Sequence, residues 1–403
     1  MAQMTAALQF NFDNADLNRL VRYYSTDTFL NDVNAPIGGK VYQDIYQVVW
    51  TLDGTFYSSI FGGFGIGVTP GSFVTGTATG YIESYYSGAG WTTAWGIQDV
   101  SVSANSIYQA ALTPSTVDDY TLLRSMLGGN DSVFLSPHAD FVRTFGGDDF
   151  IDGGAGLDIS AYSGPSSNYK LIVGPASAIV QDKRGSDGID TLVNVEKVQF
   201  IDQTLDVAWF TQAAKLSSTQ FAALAELYIA TFNRAPDALG LDYWASQLSL
   251  GMSLPQIAAS FFVQPETLAA YPVGQATTAF VNAVYQNVLG RESDVAGLNY
   301  WVGEIQNGHI AKDIFLLAII NGALAPSGGT TDAQYLLNKA AVGLHYALTQ
   351  GLNNATWART VMAGVDSTTA SVTTANQLTD TFAASAATAN SSELVIQILG
   401  IAA

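Results

Sequence analysis

Cysteine is absent from the 403 residues, which excludes a disulfide framework, a thiolate metal site and a thiol nucleophile. Histidine is scarce: His138, His309 and His345 lie far apart, and no H-E-x-x-H occurs, which excludes the usual zinc protease. No G-x-S-x-G elbow is present, so a lipase of the common α/β-hydrolase type is not expected. Basic residues are few. The 15 Lys and Arg stand against 34 Asp and Glu, a net charge of −19 that repels nucleic acid and anionic headgroups. The most apolar internal run, Ile314 to Ile320, is too short to span a bilayer, so no membrane insertion is expected. Carboxylate pairs for glycoside hydrolysis need no local motif, and that enzyme class stays open.

What is present is an apolar content of 48% and a length sufficient for about two to four domains with their own cores. Residues 1–126 are rich in Tyr, Phe, Thr, Ser and Gly. VYQDIYQVVWTLDG (Val41 to Gly54) and FVTGTATGYIESYY (Phe73 to Tyr86) alternate in character and are broken by glycine, as half-buried strands are. A short helix is expected at Ala15 to Tyr24. Trp50, Trp91, Trp95 and the tyrosines form either an aromatic β core or a sugar-binding groove.

From Leu127 the chain falls into nines: LGGNDSVFL, SPHADFVRT, FGGDDFIDG, GAGLDISAY. Asp131, Asp140, Asp149 and Asp158 share one column. Two positions earlier stand Gly129, His138, Gly147 and Gly156; two positions later stand Val133, Val142, Ile151 and Ser160. Each nine is expected to form a tight turn and a short strand, two of them making one coil of a parallel β-roll. Like turns then stack eighteen residues apart, Asp131 on Asp149 and Asp140 on Asp158, with Asn130 and Asp148 as further oxygen donors. Aligned carboxylates cannot all stay ionised without a cation, and a hard ion taking six to eight oxygens suits them. The bland alternative is a row of Asx-turn residues without metal.

These residues resemble the G-G-x-G-x-D-x-U-x pattern of the calcium-binding nonapeptide-repeat (RTX) family over Leu127 to Tyr162. FGGDDFIDGGAGLD is the closest piece; SPHAD departs from the pattern, because Pro137 and His138 replace glycines. The resemblance implies Ca2+ held by the aspartates and by carbonyls of Gly129, Gly147 and Gly156. It also makes Gly185 to Val207 the strand pair that closes the roll. Export through a type I exporter to the bacterial cell surface or medium is implied as well. The N-terminus lacks the basic start and apolar stretch of a Sec signal. The uncharged tail Leu394 to Ala403 is then either a type I signal or a last packed helix or strand.

A second repeat follows. LYIATFNRAPDALGLDYWASQL (Leu227 to Leu248) realigns with VYQNVLGRESDVAGLNYWVGEI (Val284 to Ile305) at an offset of 57. Tyr228/Tyr285, Arg234/Arg291, Asp237/Asp294, Gly240/Gly297, Tyr243/Tyr300 and Trp244/Trp301 all correspond. Asp237 and Asp294 are expected to N-cap the second helix of each copy, with Arg234 and Arg291 close to them, and Tyr-Trp to enter the core. The pattern resembles a helical domain of unknown function attached to RTX and surface-layer proteins and distantly similar to phycobilisome linkers, which implies a scaffold role. Further helices are expected at Ala355 to Met362 and Thr373 to Ala387.

The expected architecture is therefore multidomain β plus α: a β-rich part at 1–126, the β-roll with closing strands at 127–206, a duplicated helical domain at 207–330 and a helical region at 331–403. The expected function is that of a non-catalytic, calcium-dependent surface-layer, sheath or matrix subunit that self-assembles. The alternatives are an adhesin for a cell-surface glycan and a polysaccharide-acting enzyme.

Overall fold

A computed structural model describes residues 1–69, 72–326 and 328–400. The protein is multidomain, β then α, and divides into two compact units. One comprises Met1–Pro165 with Ala176–Val207, the other Ser166–Pro175 with Ala208–Ala403. The four expected segments thus merge in pairs.

The first unit opens with β1 (Gln3–Ala6), β2 (Tyr24–Leu30), the small hairpin β3 (Ala35–Ile37) and β4 (Lys40–Tyr42), and β5 (Asp44–Leu52). Three long strands follow, β6 (Thr55–Thr69), β7 (Ser72–Tyr86) and β8 (Trp91–Ser103). β2, β5, β6, β7, β8 and β1 lie side by side in that order, each antiparallel to the next. Alternation puts Trp50, Phe61, Tyr81 and Trp95 on one face. Helices α1 (Arg19–Arg22), α2 (Ala104–Ala111) and α3 (Val117–Met126) also belong to this unit. The opposite face carries Gly62 and Gly80, where Tyr42 of the hairpin lies flat. A Cβ on Gly62 would sit 2.3 Å from its ring, and one on Gly80 2.1 Å from its hydroxyl.

The expected helix at Ala15 to Tyr24 shrinks to α1, preceded by a 3-10 turn at Phe12–Asn14. Tertiary bonds fix the turn that precedes α1, and β2 begins at Tyr24. The Leu17 N–H donates to Asp119 Oδ2 at 3.1 Å, and Asn18 Nδ2 to the Ala111 carbonyl at 2.9 Å.

The nine-residue repeat forms β9 (Ser132–Phe134), β10 (Phe141–Val142), β11 (Phe150–Asp152) and β12 (Ile159–Ala161). β13 (Tyr169–Val173) belongs to the second unit; β14 (Ala178–Asp182), β15 (Ile189–Val193), β16 (Lys197–Gln199) and β17 (Thr204–Asp206) return to the first. β9, β11 and β15 are parallel neighbours, as are β10, β12 and β16. β1 pairs parallel to β9, and Asn11 bridges Phe141, so residues near the N-terminus form a first coil. The boundary expected between 126 and 127 is therefore crossed within one sheet. Met4, Val133, Ile151 and Leu192 stack inward in one column, and Val142, Ser160 and Val198 in the other.

The second unit begins with α4 (Val207–Ala213) and continues with the first copy, α5 (Ser218–Phe232), α6 (Ala238–Ser249), α7 (Leu254–Phe262) and α8 (Pro265–Ala270). The second copy is α9 (Thr277–Leu289), α10 (Val295–Gln306) and α11 (Lys312–Leu324). α12 (Thr330–Leu344), α13 (Ala355–Met362) and α14 (Thr369–Ala386) follow, and α12 packs on both α5 and α9. α13 has the expected bounds; α14 starts earlier because Thr368 caps it. The tail forms β18 (Val395–Ile398), parallel to β13. Residues 401–403 of the expected tail lie outside the described residues. Among the described residues no helix is long and apolar enough to cross a membrane.

Candidate metal centre: the carboxylate ladder of the roll

The turns of the roll need glycine for a spatial reason. Gly147, Gly156 and Gly188 have φ of +106°, +137° and +73°, a region L side chains rarely adopt. A Cβ on Gly147 would come within 2.3 Å of the Gly129 carbonyl, and one on Gly156 within 2.4 Å of the His138 carbonyl oxygen. The α-carbon of each of these glycines thereby lies against the carbonyl of the preceding turn.

Beside them the carboxylates form a ladder. Asp149 Oδ1 accepts the Asp131 N–H at 2.8 Å, and Asp190 Oδ1 accepts the Asp149 N–H at 3.1 Å. In the other column Asp158 Oδ1 accepts the Asp140 N–H at 2.8 Å, and Glu196 Oε2 accepts the Asp158 N–H at 2.8 Å. Upstream, Asp131 and Asp140 accept the N–H groups of Ala2 and Phe10. Each acid thus ties its coil to the preceding one.

The second oxygens differ. Among the described residues Oδ2 of Asp131, Asp149 and Asp158 is buried and has no hydrogen-bond partner, whereas Asp140 Oδ2 accepts from the Ser136 N–H and hydroxyl at 2.8 and 2.7 Å. Oδ1 of Asn130 accepts the Asp148 N–H at 3.0 Å, and Asp148 Oδ1 the Ile189 N–H at 2.9 Å; both atoms serve the backbone. Burial pushes Asp149 up to about 7, with Asp131 and Asp148 adding repulsion. Burial likewise raises Asp158 to about 7 and Asp190 to about 8, and it raises Asp131.

The donor chemistry fits a hard cation. Unpaired carboxylate oxygens and closely packed turn carbonyls are the ligands calcium takes. Among the described residues no group of three or more His, Asp or Glu side chains is placed to hold a metal ion, so backbone carbonyls would have to supply much of any shell. Asp190 and Glu196 went unnoticed in the sequence because an insertion breaks the nine-residue phase. Gly188-x-Asp190-x-Leu192 repeats the pattern of Gly147-x-Asp149-x-Ile151 and was the available signal. The segment Gly185 to Val207 does not merely close the roll as a strand pair: β15 and β16 are its last coil, and β14 and β17 flank it antiparallel.

Raised carboxyl pKa values make a signed prediction. In the folded, metal-free roll Asp149, Asp158 and Asp190 hold protons up to pH 7–8, while unfolded aspartates release theirs near 3.8. The folded state then binds more protons across that window, so stability is greatest at low pH and falls as pH rises through it. In chelator, the melting temperature of the β unit should drop by several degrees between pH 5 and pH 8. A rise over that range would contradict the ladder's electrostatics.

In the helical copies Asp237 and Asp294 are N-caps, accepting the N–H of Gly240 at 2.9 Å and of Gly297 at 2.7 Å. Arg234 is buried and bonds Asp237, the Ala235 carbonyl and Glu266; Arg291 is exposed and bonds Asp332 instead of its own cap. The Tyr-Trp pairs are only partly core. Trp244 and Trp301 set their edges against Phe261 and Phe315, while Tyr300 is 59% exposed. The cause is that α10 buries no residue, whereas α6 packs against the 345–349 turn and β18.

No curated protein and no solved structure matches the chain. Residues 206–271 and 258–323 each match a family described as "Domain of unknown function (DUF4214)". The similarity lies wholly in the helical part, from the end of β17 to α11, and the two matched stretches overlap at 258–271.

Proposed function

We propose that the chain is a non-catalytic structural protein of the bacterial cell exterior, exported by a type I exporter and locked into shape by calcium once outside. The observation that carries this reading is the ladder of buried acids with unpaired Oδ2 atoms at Asp131, Asp149 and Asp158. Calcium would be held there with the carbonyls of Gly129, Gly147 and Gly156, and would offset the burial that holds these acids protonated. The helical copies supply constitutive contacts for self-assembly. Negative-stain imaging of the purified chain tests this: sheets or filaments are expected in millimolar calcium and only dispersed particles in EDTA. Identical assemblies in both would sink the calcium-dependent reading.

A glycan-binding role is the second reading, favoured by the exposed pair Tyr86 and Trp91, whose rings meet edge to face at 5.6 Å. Binding to a glycan array that is lost in Trp91→Ala would support it.

A further inference from the structure

The β unit encloses a cavity with about 40 Å³ of free space between the inner sheet face and α1–α3. That is more than the roughly 10–15 Å³ one water requires. Its wall is largely apolar. Phe61, Tyr81 and Trp95 form a run of rings with centroids 5.0 and 4.9 Å apart, and Leu122 and Leu123 face them from α3.

The polar atoms reaching the cavity are mostly acidic. Asp119 is 1% exposed; its Oδ2 takes the Leu17 N–H, and its Oδ1 has no partner among the described residues. Asp16 also lines the cavity with an unpartnered Oδ1, and Glu83 accepts the Tyr81 hydroxyl at 2.7 Å. Among the described residues Arg19 is the one cation in the wall; its Nε donates to the Asp16 carbonyl, and its guanidinium lies over Trp50, while Arg22 pairs with Asp16 Oδ2 at 2.8 Å from outside the wall. Three carboxyls against one guanidinium disfavour an anion. Aromatic faces attract cations, and a buried carboxylate oxygen without a donor is costly.

We propose that this cavity binds an organic ammonium ion of one or two carbons, the size its volume admits, with its methyl group among Phe61, Tyr81, Trp95 and Leu122 and an N–H donated to Asp119 Oδ1. Nothing in the roll's metal chemistry or in the helical copies requires it. Burial raises Asp119 to about 6, so the acid is mostly ionised at neutral pH and ready to pair.

Calorimetry on the full chain tests the proposal with methylamine and ethylamine against methanol, ethanol and acetate. The amines should bind at least about tenfold tighter than the matched alcohols, and acetate not at all. Asp119→Asn should abolish that preference while leaving alcohol binding unchanged. Should that variant fail to fold, Leu122→Phe, which fills the space and leaves Asp119 in place, should weaken every compound. Acetate binding as well as methylamine, amine affinity unaltered by Asp119→Asn or Leu122→Phe, or no amine binding at millimolar concentration would each overturn it.

Discussion

Asp149→Asn is expected to change the stability of the β unit in opposite directions with and without calcium. The amide keeps an oxygen to accept the Asp131 N–H, now at 2.8 Å, so the tie between coils survives. What disappears is a buried acid that burial and neighbouring carboxylates raise to about 7. In chelator at pH 8 the variant should therefore melt above the wild type. In calcium the order should reverse, because the wild type gains roughly 2.7 kcal/mol per site at a hundredfold excess over Kd and the variant loses a ligand. That increment is large against the ~5–15 kcal/mol total of an ordinary domain. Melts of both proteins, with and without calcium at pH 8, supply the four values needed. Parallel behaviour of the two proteins would mean that the ladder is held by hydrogen bonds alone.

The equivalent arginines of the helical copies should differ sharply when truncated. Arg234→Ala leaves Asp237 and Glu266 without the guanidinium that joins them at 2.9 and 3.0 Å, in a place where the arginine side chain is 8% exposed. Breaking a buried pair from one side costs about 3–5 kcal/mol. Arg359, which also reaches Glu266, offsets part of that loss. Arg291→Ala removes an ion pair with Asp332 whose arginine is 45% exposed, a contribution of about 0–1 kcal/mol. Denaturant unfolding followed by helical circular dichroism should separate the two by several kcal/mol. Equal costs would show that the copies share one energetic design despite their different burial.

The β-then-α order, the coil spacing and the helix caps were legible because each rests on short-range periodicity. Asp131 to Asp149 is one coil, and Asp237 and Asp294 are followed by Gly240 and Gly297 at the same interval. What escaped depends on chain returning from afar. Ala2 to Phe12 carries neither the glycine nor the aspartate of a roll turn, so nothing local marks it as a coil, yet its N–H groups meet Asp131 and Asp140. Asp190 and Glu196 lie 41 and 38 residues beyond Asp149 and Asp158 because an insertion intervenes. The cavity around Asp119 has no sequence signature, since its wall combines three strands and three helical segments. Likewise, the identical Tyr-Trp dipeptides gave no hint that α6 buries Ala238, Leu241 and Ala245 whereas α10 packs only half-buried residues such as Trp301 and Val302 against the core.

The first coil has a consequence for how the protein acquires its shape. Gln3 pairs with Ser132, so the opening strand must wait until about 130 further residues are made before its parallel neighbour exists. Parallel pairing at such separation means high contact order and a slow search. During that delay β1 carries Met4 and Ala6, apolar and uncovered, a liability for aggregation at the ribosome or in transit. The antiparallel meander offers β8 as a nearer partner for β1. If β8 receives it first, the finished meander becomes the template on which the roll grows coil by coil, and the direction of growth runs from Asp131 towards Asp190.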